Sequence, residues 1–154
     1  MELQSNKLHY IAITCIIEKN GKYLICKRSP REKAFPSKWC VPGGKVEVED
    51  FMKYQKDTSS HWLYVFERIL KKEIREEVNL EIKEIDYISN LAFIRPEGYS
   101  TIIISMYAKY DFGNVKLCED ELVDYAWVDL EEAKQYDLIE NIYEQLEVAH
   151  KKFN

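Results

Sequence analysis

The segment from Lys71 to Val78, with the sequence KKEIREEV, constrains this chain most, because it gathers three glutamates into one stretch of predicted helix. Apolar residues recur at helical spacing through this region and predict a helix over His61–Val78. Ser59 or Ser60 is the expected N-cap, and Asn79 is expected to end the helix in a left-handed conformation. The residues that would share the core-facing side of this helix are Leu63, Phe66, Leu70, Ile74 and Val78.

The three glutamates do not all lie on the side of the helix that an ordinary surface helix gives to its acids. With about 100° between successive residues, Glu77 falls inside the apolar side, Glu73 at its edge and Glu76 further round. Lys72 and Arg75 are expected to point toward water, away from these acids. A buried carboxylate without a partner is costly. Either a cation comes from another segment, or the glutamates hold a divalent metal ion such as magnesium, which prefers oxygen ligands. A solvated acidic face is the alternative for such a helix considered alone.

A glycine-containing segment upstream favours the metal interpretation. The sequence VPGGKVEVED, residues 41–50, predicts the end of a short strand and then a turn at Pro42-Gly43-Gly44. Paired glycines permit close backbone approach, so the turn can offer a carbonyl to a metal ion or amides to a phosphate. Three more acids follow it, namely Glu47, Glu49 and Asp50. A glycine turn, an acidic loop and an acidic helix form the arrangement expected for metal-assisted attack of water on a phosphate chain.

Runs of β-branched and aromatic residues predict a sheet around these two segments. The run from Leu8 to Arg28 indicates two strands joined by a turn at Asn20-Gly21. Ser29–Lys38 contains two prolines and predicts a loop, and Trp39-Cys40-Val41 predicts a short strand. Further strands are predicted over residues 81–94, 99–112 and 123–130, an irregular polar stretch over residues 51–60, and one or two helices from Glu131 to Lys151. This pattern is typical of an α/β or α+β protein with one sheet.

Composition and charge exclude several classes of function. The 154 residues suit one domain, and the net charge of −5 argues against a nucleic-acid polymer or an anionic membrane surface as partner. No apolar run approaches the roughly 20 residues that span a bilayer, and the N-terminus lacks the apolar centre of a signal peptide. The cysteines lack metal-site spacing and are interpreted as reduced thiols of a cytoplasmic protein: Cys15, Cys26, Cys40 and Cys118.

These segments resemble the signature of the Nudix (MutT-type) hydrolases. In that signature a glycine is followed by five residues and a glutamate, then by seven residues and Arg-Glu-apolar-x-Glu-Glu-x-Gly-apolar. Here Gly44 is followed after five residues by Asp50, and the second half is Lys72-Glu73-Ile74-Arg75-Glu76-Glu77-Val78-Asn79-Leu80. Lys72, Asp50 and Asn79 replace the arginine, the glutamate and the glycine of the family. Lysine keeps the positive charge but loses the forked geometry of arginine.

The spacing inside this signature is the largest departure from the family. Residues 51–71 separate Asp50 from Lys72 where the family has seven residues, so 14 are inserted. Loops of this length in a compact domain are often functional. The insertion, around residues 51–64, is interpreted as a lid or wall of the substrate pocket, with a decorative surface loop as the alternative.

The resemblance implies a fold and a set of site residues. The fold would be the Nudix-type α/β/α sandwich, an α/β architecture with a mixed β-sheet, in a single domain over residues 1–154. The implied metal ligands are Gly43 through its carbonyl, Glu73, Glu76, Glu77 and the distal Glu121. The implied catalytic residues are Glu73, which is either the general base or a further metal ligand, and Lys72 in place of the orienting arginine. The implied substrate-binding residues are Arg28, Trp39, Gly44 and Lys45. Glu121 as a solvated loop acid and Trp39 as a residue packed under the sheet are the alternatives.

The implied activity is hydrolysis of a diphosphate linkage in a nucleotide, with Mg²⁺ or Mn²⁺ as cofactor. A nucleoside triphosphate, including one with an oxidised guanine, is the first expectation for the substrate. ADP-ribose, nucleotide sugars and dinucleotide polyphosphates are the alternatives. A non-catalytic nucleotide sensor and an acidic partner-binding protein are hypotheses of other classes. We expect a monomer or a homodimer.

Overall fold

In the described part of the chain, a mixed sheet of seven strands forms the middle layer. The computed structural model describes residues 6–154. The strands are β1 (His9–Lys19), β2 (Lys22–Arg28), β3 (Trp39–Cys40), β4 (Gly43–Lys45), β5 (Glu81–Ile94), β6 (Ser100–Phe112) and β7 (Leu122–Val128). The sheet order is β3-β2-β1-β6-β5, while β4 pairs with β1 and β7 pairs with β2. Strands β1 and β6 run parallel, and the other pairs are antiparallel.

Among residues 6–154, four helices cover the two faces of this sheet. They are α1 (Val48–Met52), α2 (Val65–Val78), α3 (Leu130–Ala133) and α4 (Ile142–Phe153). One buried cluster joins α2 to the sheet through Leu70, Ile74 and Val78. The other joins α3 and α4 to the opposite face through residues that include Ala133 and Leu146. The predicted α/β/α sandwich with a mixed sheet is therefore confirmed over the described residues, and residues 1–5 of the predicted domain lie outside them.

The N-terminal hairpin forms where the turn residues predict it. Asn20 and Gly21 adopt positive φ angles of 51° and 80°, and Lys19 pairs with Lys22 across the turn. A type I′ hairpin turn needs positive φ at both central positions, which asparagine and glycine tolerate. The helix terminator is also confirmed, because Asn79 ends α2 with φ 61°.

Helix α2 begins later than the periodicity predicts. Its first residue is Val65 rather than His61, and its N-cap residue is Tyr64, with φ 53°, rather than Ser59 or Ser60. The predicted start of the helix was therefore wrong.

Contacts of one aspartate explain the late start of α2. The Asp57 carboxylate accepts the backbone N–H of Leu63 at 2.9 Å and the guanidinium of Arg68 at 2.7 Å. These bonds hold the preceding segment in an irregular turn, because an aspartate carboxylate competes with the helix for backbone donors. Leu63, which periodicity placed on the core face, is consequently 43% exposed.

Two further local predictions were also wrong. Gly43 and Gly44 lie in strand β4, paired with β1, and not in a turn. Phe51 and Met52 belong to helix α1 rather than to an irregular stretch.

Within residues 6–154, none of the helices combines the length and the apolarity that a membrane crossing requires. The four cysteines are free thiols. Three of them, Cys15, Cys26 and Cys40, are buried, whereas Cys118 is partly exposed.

Candidate active site

Helix α2 presents Glu73 and Glu77 toward strand β4, and Glu77 is the more deeply enclosed of the two. The backbone N–H of Gly43 donates to Glu77 Oε2 at 2.8 Å. Burial raises the pKa of Glu77 from its ordinary value to about 8, although the bond from Gly43 opposes this rise. Among residues 6–154, no lysine or arginine forms an ion pair with Glu77. The prediction that Glu77 lies inside the apolar side of the helix is thus consistent with its surroundings.

The paired glycines of β4 make room for two different neighbours. A methyl group at Gly44 would overlap the carboxylate of Glu73, so the absence of a side chain lets that carboxylate lie directly over the strand. A methyl group at Gly43 would instead overlap the carbonyl oxygen of Ile13 in β1. Gly44 therefore makes room for the Glu73 carboxylate of the site. Gly43 instead makes room for the neighbouring strand β1 and donates its N–H to Glu77.

Lys72 does not point away into water, which corrects the sequence-based expectation. Its ammonium lies 2.7 Å from Asp50 Oδ1, 3.5 Å from Glu73 Oε1 and 3.8 Å from Glu76 Oε2. The long flexible stem of lysine allows its charge to reach around the helix. Burial raises the pKa of Glu73, and the Lys72 ammonium partly opposes this effect.

Asp50 anchors Lys72 at the edge of the site. Its carboxylate is buried and accepts both the Lys72 ammonium and the backbone N–H of Glu47, the latter at 2.9 Å. Burial alone would raise the pKa of Asp50, but these two hydrogen bonds outweigh it and lower the pKa. The substitutions at positions 50 and 72 therefore form a matched pair, in which the aspartate fixes the lysine beside two glutamates.

The distal acid and the strand-end arginine reach the same neighbourhood from other segments. The Glu121 carbonyl accepts the N–H of Ser29 at 2.8 Å, and Cys118 N–H donates to the Glu77 carbonyl at 2.9 Å. After burial and the Gly43 bond, the charge of Glu121 raises the pKa of Glu77, while Arg28 lowers it. Tertiary packing thus brings Arg28 and Glu121 within electrostatic range of α2.

Trp39 and Lys45 lie at the margins of this site. The Trp39 ring packs edge-to-face on Tyr136, with ring centroids 4.7 Å apart, in the core on the α4 side of the sheet. Lys45 is exposed and follows Gly44 along β4. Substrate binding by either residue remains a prediction.

Comparison with known proteins decides the family. The NUDIX domain matches residues 7–148 of the chain. The chain belongs to the Nudix family. It resembles the nucleoside triphosphatase NudI of Salmonella newport (strain SL254), with 33% identity over 137 residues, covering 82% of this chain and 86% of the relative. Against NudI of Klebsiella pneumoniae (strain 342), the identity is 29% over 137 residues. The chain is therefore a Nudix hydrolase, an enzyme of the pyrophosphohydrolase type.

Solved Nudix structures share this fold. A MutT NUDIX hydrolase from Burkholderia pseudomallei superposes with a TM-score of 0.71 at 21% identity, covering 92% of this chain and 98% of that one. The NUDIX domain of Shewanella oneidensis NrtR, solved with ADP ribose, gives a TM-score of 0.70 at 15% identity, covering 96% of this chain and 90% of that one. At these identities the likeness concerns the fold alone.

The Nudix carboxylates fit a divalent cation held jointly with substrate. Members of the family generally use such an ion. Among residues 6–154, no three acidic, histidine or cysteine side chains are arranged as a ready-made metal cage. Glu73, Glu76 and Glu77 nevertheless supply hard oxygen donors on one helix, and Mg²⁺ commonly binds one or two carboxylates together with substrate phosphates and water. The donor chemistry therefore suits magnesium.

Sequence reasoning missed two groups of residues near the Nudix site. The first is the ion pair of Lys72 with Asp50, which a distance of 22 positions along the chain concealed. The second is a pocket beside Lys45 whose lining includes Tyr10 and Tyr99. Strand β1 carries Tyr10, and it meets the segments of Lys45 and Tyr99 through its pairing with β4 and with β6. No local sequence pattern therefore predicts the pocket.

Proposed function

We propose that this Nudix hydrolase is a Mg²⁺-dependent nucleoside triphosphate pyrophosphohydrolase, with Mn²⁺ as a substitute ion. The observation that carries the proposal is the placement of two α2 carboxylates against β4, with Glu73 directly over Gly44 and Glu77 bonded to the Gly43 N–H, and with Glu76 one turn along the same helix from Glu73. The bare glycine backbone lets these carboxylates lie against the strand, where they can hold a cation together with a phosphate chain. The likeness to proteins named nucleoside triphosphatase favours a triphosphate over the other nucleotides.

Each site residue receives a role from its surroundings. We assign Glu73, Glu76 and Glu77, the Gly43 carbonyl and Glu121 to the metal ion, which when bound supplies charge neutralisation and a more acidic water. Burial raises the pKa of Glu73, which brings this carboxylate closer to the proton affinity that a general base needs near neutral pH. We therefore assign Glu73 the role of general base, which accepts a proton from the attacking water.

Lys72 and Arg28 act around these carboxylates in our proposal. Lys72, fixed by Asp50, holds Glu73 in place. The Arg28 guanidinium, which donates to the Ala34 carbonyl at 2.8 Å and to Glu32 at 3.1 Å, offers forked donors to a phosphate.

A cationic lining beside α2, to which the insertion contributes Lys53 and Tyr54, favours a substrate with several phosphates. A groove of about 340 Å³ runs along α2, between that helix and the inserted segment. Five of its seven lining residues are cations: Lys53, Arg68, Lys71, Lys72 and Arg75, beside Tyr54 and Glu76. Arg68 and Arg75 pair with Asp57 and Glu81, whereas no ion pair of the described residues occupies Lys53 or Lys71. These two ammonium groups are available to the end of a phosphate chain.

A hydrolysis screen with matched variants tests the proposal. Purified protein, with and without Mg²⁺, is offered nucleoside triphosphates, ADP-ribose, nucleotide sugars and dinucleotide polyphosphates, and product phosphate or pyrophosphate is measured. We expect Mg²⁺-dependent turnover of triphosphates, reduced about a hundredfold or more in Glu76→Gln and Glu77→Gln. Glu147→Gln, on the exposed side of α4, is the control for loss of a surface carboxylate.

Two results would contradict the proposal. Preferential turnover of ADP-ribose or of a dinucleotide polyphosphate would refute the proposed substrate class but would not contradict the proposed metal site. Nucleotide binding without turnover, unchanged in both variants, would identify a sensor in place of an enzyme.

A further inference from the structure

A second pocket adjoins the glycine strand. It measures about 520 Å³ and opens between the start of β1, the segment from β4 into α1, and the hairpin between β5 and β6. Its lining residues are Tyr10, Ile11, Lys45, Val46, Glu47, Val48, Arg95, Glu97 and Tyr99.

Two tyrosines and one arginine form an ordered cluster in this pocket. The rings of Tyr10 and Tyr99 meet edge-to-face, with centroids 5.3 Å apart and an interplanar angle of 65°. The Arg95 guanidinium lies 5.4 Å from the centre of the Tyr10 ring, and its Nε donates to Thr101 Oγ1 at 2.9 Å. Tyr10 and Tyr99 nevertheless remain 47% and 40% exposed. Aromatic faces that are held in place yet open to solvent are suited to stacking on a planar ring.

The backbone connects this cluster directly to the carboxylate site. The N–H of Val46 donates to the carbonyl of Ile11 at 2.8 Å, which extends the pairing of β4 with β1 into the pocket wall. Gly44, under the Glu73 carboxylate, lies only two residues before Val46, a distance of about 7 Å along a strand. One extended ligand can therefore reach from the carboxylates into the pocket.

The charges of the two cavities indicate which end of a nucleotide each one accepts. The groove along α2 has five cations and one carboxylate in its lining. The tyrosine pocket has two cations, Lys45 and Arg95, and two carboxylates, with aliphatic and aromatic side chains making up the rest. A charge-balanced, partly apolar pocket with aromatic rings suits an uncharged base and sugar, whereas the cationic groove suits phosphates.

We propose that the pocket of Tyr10, Arg95 and Tyr99 binds the nucleoside part of the substrate, with the base stacked on the tyrosine rings and the phosphate chain directed along β4 to the α2 carboxylates. This inference rests on the proposed nucleotide hydrolase function and adds the direction in which the nucleotide lies. Tyr10 and Tyr99 are substrate-binding residues in this arrangement and do not take part in bond cleavage.

Binding measured without hydrolysis tests the pocket. Ligand-observed NMR follows titration of a nucleoside monophosphate, and separately of inorganic pyrophosphate, into the full-length chain without metal. We expect Tyr99→Ala and Tyr10→Ala each to weaken monophosphate binding by about tenfold, because base–aromatic stacking is lost, and to leave pyrophosphate binding unchanged. Tyr99→Phe, which keeps the ring, should bind as the wild type does. Tyr125→Ala, on the exposed part of β7, is the matched control for removal of a surface tyrosine.

Steady-state kinetics adds a second readout. Tyr99→Ala should raise KM for a nucleoside triphosphate with kcat little changed, since the ring contacts only the nucleoside. Circular dichroism of each variant establishes that the fold is kept.

The outcomes separate the two proposals. Unchanged monophosphate affinity in both tyrosine variants, or no monophosphate binding by the wild type, would overturn the nucleoside pocket even if the glutamate variants lose hydrolysis. Weakened monophosphate binding without hydrolysis of any nucleotide would support the pocket and refute the enzyme assignment. Conversion of a dimer to a monomer by Tyr99→Ala, with monophosphate affinity unchanged, would identify this face as an interface between two copies of the chain.

Discussion

The buried carboxyl of Glu77 predicts that the metal-free protein loses stability as pH rises. Burial raises its pKa in the folded state from 4.5 to about 8. The folded state therefore binds more protons than the unfolded state between these values. The contribution of the Glu77 carboxyl to the free energy of unfolding is fully present below about pH 4.5 and is lost as pH rises through about 8.

The size of this effect follows from the pKa difference. One pKa unit corresponds to about 1.4 kcal/mol, so ionised Glu77 costs the folded state about 5 kcal/mol in free energy of unfolding. Glu77→Gln removes the charge and retains an oxygen that can accept the Gly43 N–H. In the absence of metal, the free energy of unfolding of the variant should be equal to or slightly lower than that of the wild type at about pH 5. At about pH 9 it should be higher than that of the wild type by several kcal/mol.

Urea denaturation followed by circular dichroism measures this difference. Wild type, Glu77→Gln and the control Glu147→Gln are unfolded in EDTA across this pH range, and only the Glu77 variant should show a flattened pH dependence. Adding Mg²⁺ near pH 8 should stabilise the wild type and not Glu77→Gln, because an ion that binds only the folded state shifts the unfolding equilibrium. If Glu77→Gln is destabilised equally at every pH, Glu77 is ionised and well partnered, and the argument from burial is refuted.

Three further substitutions test other parts of the site. Gly44→Ala should lower kcat by about a hundredfold with the far-UV spectrum retained, since its methyl would displace the Glu73 carboxylate; an unchanged kcat would contradict this. Lys72→Met should cost about 2 kcal/mol at neutral pH, and the cost should fall as pH drops through the lowered pKa of Asp50, because the ion pair is lost once that carboxyl is protonated; a cost independent of pH would mean that lost packing dominates. Asn79→Ala should cost about 1 to 2 kcal/mol in thermal unfolding and Asn79→Gly should not, because asparagine and glycine tolerate φ 61° whereas alanine does not.

Much of the site was predictable because it is encoded at short range. The spacing of Glu73, Glu76 and Glu77 follows from helical geometry once a helix forms, and the placement of Glu77 against the core follows from its position among apolar residues. The Asn20-Gly21 turn and the Asn79 terminator depend on backbone conformations that few residues tolerate. These features need no knowledge of distant contacts.

The errors concern charged side chains whose partners lie elsewhere in the chain. Angular position on a helix places the base of Lys72 away from the acids, but the flexible stem takes its ammonium to Asp50. Likewise, periodicity extends α2 back to His61, whereas the Asp57 bonds hold the preceding segment in a turn. Periodicity describes where Cβ atoms point and contains no information on such bonds.

The sequence by itself therefore determined the family signature, an α/β or α+β class with one sheet, and the three carboxylates on one helix. These depend on residue type and on fixed backbone periods, whereas the mixed sheet with helices on both faces was implied by the resemblance to the family. Only the tertiary structure decided that Gly43 and Gly44 form a strand under Glu77 and Glu73, and that Tyr10, Arg95 and Tyr99 share one pocket. Those contacts join residues far apart in the chain, and their geometry is set by strand pairing and by packing, which no local pattern specifies.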